Sequence, residues 1–182
     1  MGKKGVTMGK NLGSKRPRDF QVFKVQSAEE LASKRIFKTV WTPTLDHDKV
    51  IELVNFTIYH PEVVERLGKV KRDIGVIFGE KSPKGQTSIM ASFDVIEHDL
   101  YFSPKACTPM SVLHEVAHIY STKPTEAHHS PVFCAVFHHL LTSVYGKKAG
   151  GVLLKAYQLY GVKADFAEID IKARRSAQVT RR

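Results

Sequence analysis

Five consecutive residues near the middle of the chain, His114-Glu115-Val116-Ala117-His118, have the types and spacing of a hydrolytic metal site. On a helix, residues four apart share a face, so the two imidazoles can reach one cation. Glu115 sits one position round from His114, close enough to touch a metal-bound water without ligating the metal. Zinc lowers the pKa of that water, and the carboxylate takes its proton as the water attacks a polarised carbonyl. The motif predicts His114 and His118 as zinc ligands and Glu115 as the catalytic acid/base. The bland alternative is two histidines on a helix that bind nothing.

A zinc site of this kind needs a third protein ligand. The metzincin extension would require glycine and histidine where Ser121 and Pro124 stand, which excludes that class. Glu126 is a carboxylate candidate but lies in a loop. His128 and His129 are better placed, and His129 is preferred because it precedes Ser130-Pro131, where the start of the next helix should hold its backbone. His138 and His139 lie farther along that helix and read as one packed and one exposed side chain. An oxyanion partner is not evident; Tyr120, Tyr145, Tyr157 and His128 are conceivable, and core packing or plain exposure is the simpler account of each.

These residues need elements to hold them. Thr108-Pro109 is an N-cap followed by proline at the first helical position, opening a helix to about Tyr120 that carries the motif. Ser130-Pro131 repeats the signal for a helix to about Tyr145. A further helix from about Lys147 to Tyr160 stops at Gly161. Upstream, Ile74, Val76 and Phe78 alternate, as do Ile89, Ala91 and Phe93, and Leu100 with Phe102. Ser82-Pro83-Lys84-Gly85 separates the first two runs, which predicts a small antiparallel sheet. Phe20, Phe23, Leu31 and Phe37 suit one or two helices between Arg18 and Lys38, with a capping-box signal at Ser27 and Glu30. A Trp41-Thr42-Pro43-Thr44 turn precedes a helix from about Leu45 to Tyr59, and Pro61 restarts a short one that ends at Gly68. Helices, a small sheet, then helices make an α+β plan.

The chain has 182 residues, enough for one domain with tails. Its apolar fraction of 42% and charged fraction of 25% are those of an ordinary globular protein. Nothing approaches the roughly 18 apolar residues of a membrane span. No apolar run follows the basic start as in a secretory signal, and Val6 occupies the position where myristoylation wants Ser or Thr. Cys107 and Cys134 form no CxxC pair and read as buried thiols in a reducing compartment. The expected location is cytoplasmic, in the host cytoplasm if phage-encoded. Net charge is +10, with much of the excess near the termini. Such arms suit a polyanion by counterion release, or simply keep the protein soluble.

His114-Glu115-x-x-His118, followed by His129-x-Pro131-x-Phe133, resembles the HExxH…HGPxF signature of a small metallohydrolase family of bacteria and their phages. That family is related in its core to the SprT/Spartan-like zinc metalloproteases. Arg18-Asp19-Phe20-Gln21-Val22-Phe23-Lys24-Val25 is similar to its N-terminal helix, and Leu153-Leu154-Lys155-Ala156-Tyr157 with Gly161-Val162 to its last helix and stop. The resemblance covers about residues 18–163, and only the zinc motif in it is specific. It implies a zincin-like (minigluzincin/SprT-type) domain whose sheet packs against the HExxH helix, with zinc on His114, His118 and His129 and Glu115 as acid/base. Ser130 stands where glycine is usual; it is also a good N-cap, so the turn should survive. SprT/Spartan-like relatives are implicated in cutting proteins crosslinked to DNA, which the basic ends suit, although no separate Cys-rich zinc module accompanies them here.

The expectation is a disordered basic arm at 1–17, a zincin-like metallohydrolase domain at 18–163 and a basic tail at 164–182. The function expected is zinc-dependent hydrolysis of a protein or peptide, with DNA as a candidate partner and no membrane. The alternative is a nucleic-acid-binding or phage structural protein that keeps a structural zinc. Hydrolysis of a non-peptide amide would use the same residues.

Overall fold

Small apolar residues at helical spacing, Val25, Ala28 and Ala32, turn the first helix (α1, Val22–Phe37) onto the core. The computed structural model describes residues 19–38, 44–79, 91–94, 98–121 and 128–170. The arm expected at 1–17, the turn at Ser82–Gly85 and most of the turn beginning at Trp41 lie outside the described residues. The stretch before Lys38 forms one helix, and Ser27 and Glu30 lie inside it rather than at its start. The inward stripe explains this, because burying Val25 and Ala28 requires helix upstream of Ser27. The expected anchors Phe20 and Phe23 are instead 79% and 80% exposed.

Asp46 accepts the Lys49 N–H at 2.9 Å and starts α2 (His47–Tyr59), whose Val50, Val54, Thr57 and Ile58 are buried. Pro61 restarts the chain as α3 (Pro61–Leu67), which ends at Gly68 as its sequence indicates. Among the described residues three short strands follow: β1 (Gly75–Phe78), β2 (Ser92–Asp94) and β3 (Asp99–Phe102). Their order is β1-β3-β2. β2 runs antiparallel to β3, with Phe93 opposite Leu100, whereas β1 runs parallel to it, with Val76 opposite Leu100 and Phe78 opposite Phe102.

The sheet is therefore mixed, which corrects the antiparallel expectation. Alternation reports which side chains share a face, not which strand lies alongside. Leu100 and Phe102 are completely or almost completely buried, so β3 takes the middle and separates the two runs expected to form a hairpin.

A single 3₁₀ turn (Pro104–Ala106) leads to α4 (Pro109–Ser121). Thr108 caps that helix: its Oγ1 accepts the Ser111 N–H at 3.2 Å. Ser130 does the same for α5 (Pro131–Tyr160), accepting the Phe133 N–H at 3.3 Å. The first eleven residues of α5 are buried on nearly every side, including Val132, Phe133, Val136, Phe137, Leu140 and Leu141. This all-round burial follows from its place at the centre, with α1, α3 and α4 packed around it. Gly146, at φ 84°, breaks α5 into the two segments that the sequence predicts. Gly150 lets the second segment close on the first, since a Cβ there would lie 2.1 Å from Thr142 Oγ1.

Residues 166–170 are helical, Ile169 is fully buried, and Arg66 pairs with Asp170. The packed unit thus runs past residue 163, where the sequence reading ends it. No helix among the described residues is long and apolar enough to cross a membrane.

Candidate metal centre

Two capped helix starts deliver the histidines. The Thr108 cap sets the rotation of α4, whose apolar Val112, Leu113, Val116 and Ala117 are fully buried. Packing that stripe against α5 turns His114 and His118 to a common side, their ring centroids 5.0 Å apart. The Ser130 cap fixes the residue before it, bringing the His129 ring to 5.0 Å from His114 and 5.4 Å from His118. Phe133, one turn into α5, lies beneath all three, at 4.5 Å from His118, 4.9 Å from His114 and 5.0 Å from His129. An edge or tilted phenyl contact holds an imidazole by dispersion without competing for its nitrogens.

His114, His118 and His129 each offer a ring nitrogen, and these atoms all lie within 4.8 Å of one another. The Nε2 atoms of His114 and His129 are 3.1 Å apart. Tetrahedral zinc with Zn–N bonds of about 2.0–2.1 Å would set its ligand nitrogens about 3.3 Å apart. The donor set therefore fits one small divalent ion after side-chain adjustments on the order of 1 Å. Imidazoles suit zinc, copper, iron and nickel alike, so the donors do not choose among these metals. Of the two candidates for third ligand, His129 joins the cluster. His128 lines the cavity beside it, its ring 5.7 Å from His118.

The segment from Asp19 into the middle of α1 supplies partners that the sequence did not point to. Glu29 meets His114 Nδ1 with both carboxylate oxygens, at 2.9 and 3.0 Å. Asp19 Oδ2 lies 2.6 Å from His129 Nδ1 and accepts the His129 backbone N–H at 3.0 Å. The Gln21 side-chain amide donates to the His129 carbonyl at 3.0 Å and accepts the Lys163 N–H at 2.7 Å. These pairs are 85 to 142 residues apart in sequence, so no local spacing could have found them.

Burial dominates the electrostatics. Burial, then the neighbouring His114, His129 and His128, hold His118 well below the usual histidine range, so it is neutral. Burial, then His114, lowers His129 against the opposing pull of Asp19. His114 behaves oppositely: burial disfavours its charge, but the charge and hydrogen bond of Glu29, helped by Glu115 and Asp19, push it up to about 9. Burial raises Glu115 to about 7, although His114 and the Phe93 backbone favour its ionised form. Burial would raise Asp19 as well, yet its bonds to His129 hold it below the ordinary carboxylate value.

A cavity of about 610 Å³ opens onto this cluster, lined by the three histidines, Glu115, His128 and residues 91–93 among others. Tyr120, Tyr145 and Tyr157 do not line it. The Tyr120 hydroxyl is buried with no hydrogen-bond partner among the described residues, Tyr145 packs edge-on against Phe37, and the Tyr157 hydroxyl lies 3.5 Å from the Cys134 carbonyl. His138 and His139 are also elsewhere. His139 Nε2 meets the Glu62 carbonyl at 3.2 Å, and Phe166 packs edge-on against His138, so the latter is partly covered where exposure was expected. Glu126 lies outside the described residues. Cys107 and Cys134 are buried free thiols. Comparison with family models, curated proteins and solved structures finds no match for this chain.

Proposed function

We propose that this chain is a zinc-dependent hydrolase of zincin-like type, acting on protein or peptide, in which His114, His118 and His129 hold the ion and Glu115 is the catalytic acid/base. The observation that carries the reading is that the three imidazoles and Glu115 face one open cavity. A structural zinc is enclosed by four protein ligands, whereas a catalytic one keeps a position open to solvent or substrate. When bound there, zinc would acidify water and polarise a substrate carbonyl.

The protein's own groups do the rest. The triad sets three ring nitrogens close together while Phe133 and the capped helix starts limit ring movement. Glu115, buried against the Phe93 backbone, is the base that accepts the proton of the attacking water and returns it to the leaving amine. Ser92 and Phe93 of β2 form part of the cavity wall beside that carboxylate, where an extended peptide would lie. DNA-associated protein is the substrate class favoured by the chain's net charge of +10.

The test compares wild type with Glu115→Gln on casein and on a DNA-bound protein, each enzyme loaded with zinc. Loss of a general base lowers turnover by about 10²–10⁴-fold, and the variant should still bind zinc. Equal cleavage by both, or none by either, would overturn the proposal. A chelator that unfolds the domain, together with salt-sensitive DNA binding and no hydrolysis, would instead favour a structural zinc in a nucleic-acid-binding protein.

A further inference from the structure

We infer that Asp19 and Glu29 are the positioning residues of the metal centre, each fixing one ligand imidazole through Nδ1 so that Nε2 faces the shared point. The inference rests on the metal-centre reading of the three histidines.

A neutral imidazole has one N–H and one lone pair, and a carboxylate on Nδ1 places the hydrogen there and the lone pair on Nε2. Glu29 does this for His114, and Asp19 for His129. The two Nε2 atoms approach each other to 3.1 Å, sharing one hydrogen that a bound cation would displace. Asp19 does more than orient a ring. Its Oδ2 takes both the Nδ1 and the backbone N–H of His129, while Oδ1 accepts the Gln21 N–H at 3.1 Å. With the Gln21 amide on the His129 carbonyl, this ligand is held at three atoms by two residues of one short segment.

The carboxylate side chains are only 14% and 20% exposed, and the rings they meet 13% and 11%. Carboxylates so withdrawn from water are costly unless specifically bonded, and here the bonds are made to two of the three proposed ligands. His114 reaches the centre from α4 and His129 from the turn before α5, and the segment from Asp19 into α1 touches both. A chain with both helices intact but without these carboxylates would leave two imidazoles free to rotate or to adopt the other tautomer.

The test measures zinc affinity of the metal-free, full-length protein by chelator competition, with the visible spectrum of the cobalt(II) form as a readout of ligand geometry. Asp19→Asn is isosteric but presents an NH₂ group to one of the three N–H donors now bonded to the carboxylate. Glu29→Leu removes the acceptor, and Glu29→Gln restores one acceptor oxygen without the charge. Asp19→Asn and Glu29→Leu should each bind zinc about 10–100-fold more weakly and alter the cobalt spectrum, with Glu29→Gln falling between Glu29→Leu and wild type.

Circular dichroism and melting of the metal-free proteins separate this from simple support of the fold. If the variants melt earlier yet retain the wild-type zinc affinity and cobalt spectrum while folded, the positioning role is overturned. Should Asp19→Asn or Glu29→Leu fail to fold, the isosteric Glu29→Gln decides, since an affinity and a spectrum equal to wild type would contradict the inference. Absence of tight zinc binding in the wild type would overturn the metal-centre reading itself, a separate result because it is measured first.

Discussion

Phe133 is the side chain on which packing and chemistry meet. It is fully buried, and its ring touches all three candidate ligands. Truncation to alanine removes a burial contribution of about 1.5–3 kcal/mol, loses ring contacts worth about 0.5–1.5 kcal/mol, and leaves a cavity that one turn of capped helix cannot collapse. The whole should lie in the range of about 3–5 kcal/mol measured for such changes. Domains of this size have only about 5–15 kcal/mol in total, and about 1 kcal/mol shifts melting by roughly 2–4 °C. Phe133→Ala should therefore melt about 6–20 °C lower, while Phe133→Leu, nearer in volume, should lose less than about 1.5 kcal/mol. Denaturant unfolding and thermal melting, each with and without excess zinc, provide the assay. Zinc should raise wild-type melting by mass action, and by a smaller increment in both variants, because the rings have lost their platform. Phe133→Ala melting within 2 °C of wild type, or equal zinc increments in all three proteins, would refute this account.

Gly150→Ala should destabilise by about 1–3 kcal/mol, read by denaturant unfolding, because the added methyl collides with Thr142 Oγ1 and crowds His138 Nε2. Gly146→Ala, at φ 84°, should cost about 1–2 kcal/mol through strain alone, since nothing lies within 4 Å of the added atom. Ile169→Ala should cost about 2–4 kcal/mol; a neutral result would mean that residues past 163 are not part of the packed unit. Burial, with His139 beside it, lowers His138 to about 4. Between its ordinary value of 6.5 and that point, the unfolded chain takes up a proton that the folded one refuses. His138 therefore lets stability fall as pH drops through this window, with no further loss below about 4. Discounted for its partial exposure, the effect is about 1–2 kcal/mol. The difference in unfolding free energy between pH 7 and pH 4 should shrink by that amount in His138→Gln.

Much of this architecture is local, and local features are what a sequence encodes legibly. Thr108-Pro109, Ser130-Pro131, Pro61 and Gly161 mark helix ends through backbone hydrogen bonds made within a few residues. The helical placement of His114, Glu115 and His118 follows from a period of 3.6, and the preference for His129 over His128 from the cap beside it. What the chain could not announce depends on partners distant in sequence. Strand alternation left the neighbour of β1 open, and burial of Leu100 and Phe102 put β3 between the other two strands. Phe20 and Phe23 look like anchors by type, yet smaller Val25, Ala28 and Ala32 let α1 pack on the central helix. Asp19, Gln21 and Glu29 read as ordinary polar residues of an N-terminal helix. Only tertiary packing, which brings α1 across α5 to the mouth of α4, sets their side chains against His129 and His114. A hydrogen bond spanning 85 to 110 residues has no periodicity to betray it.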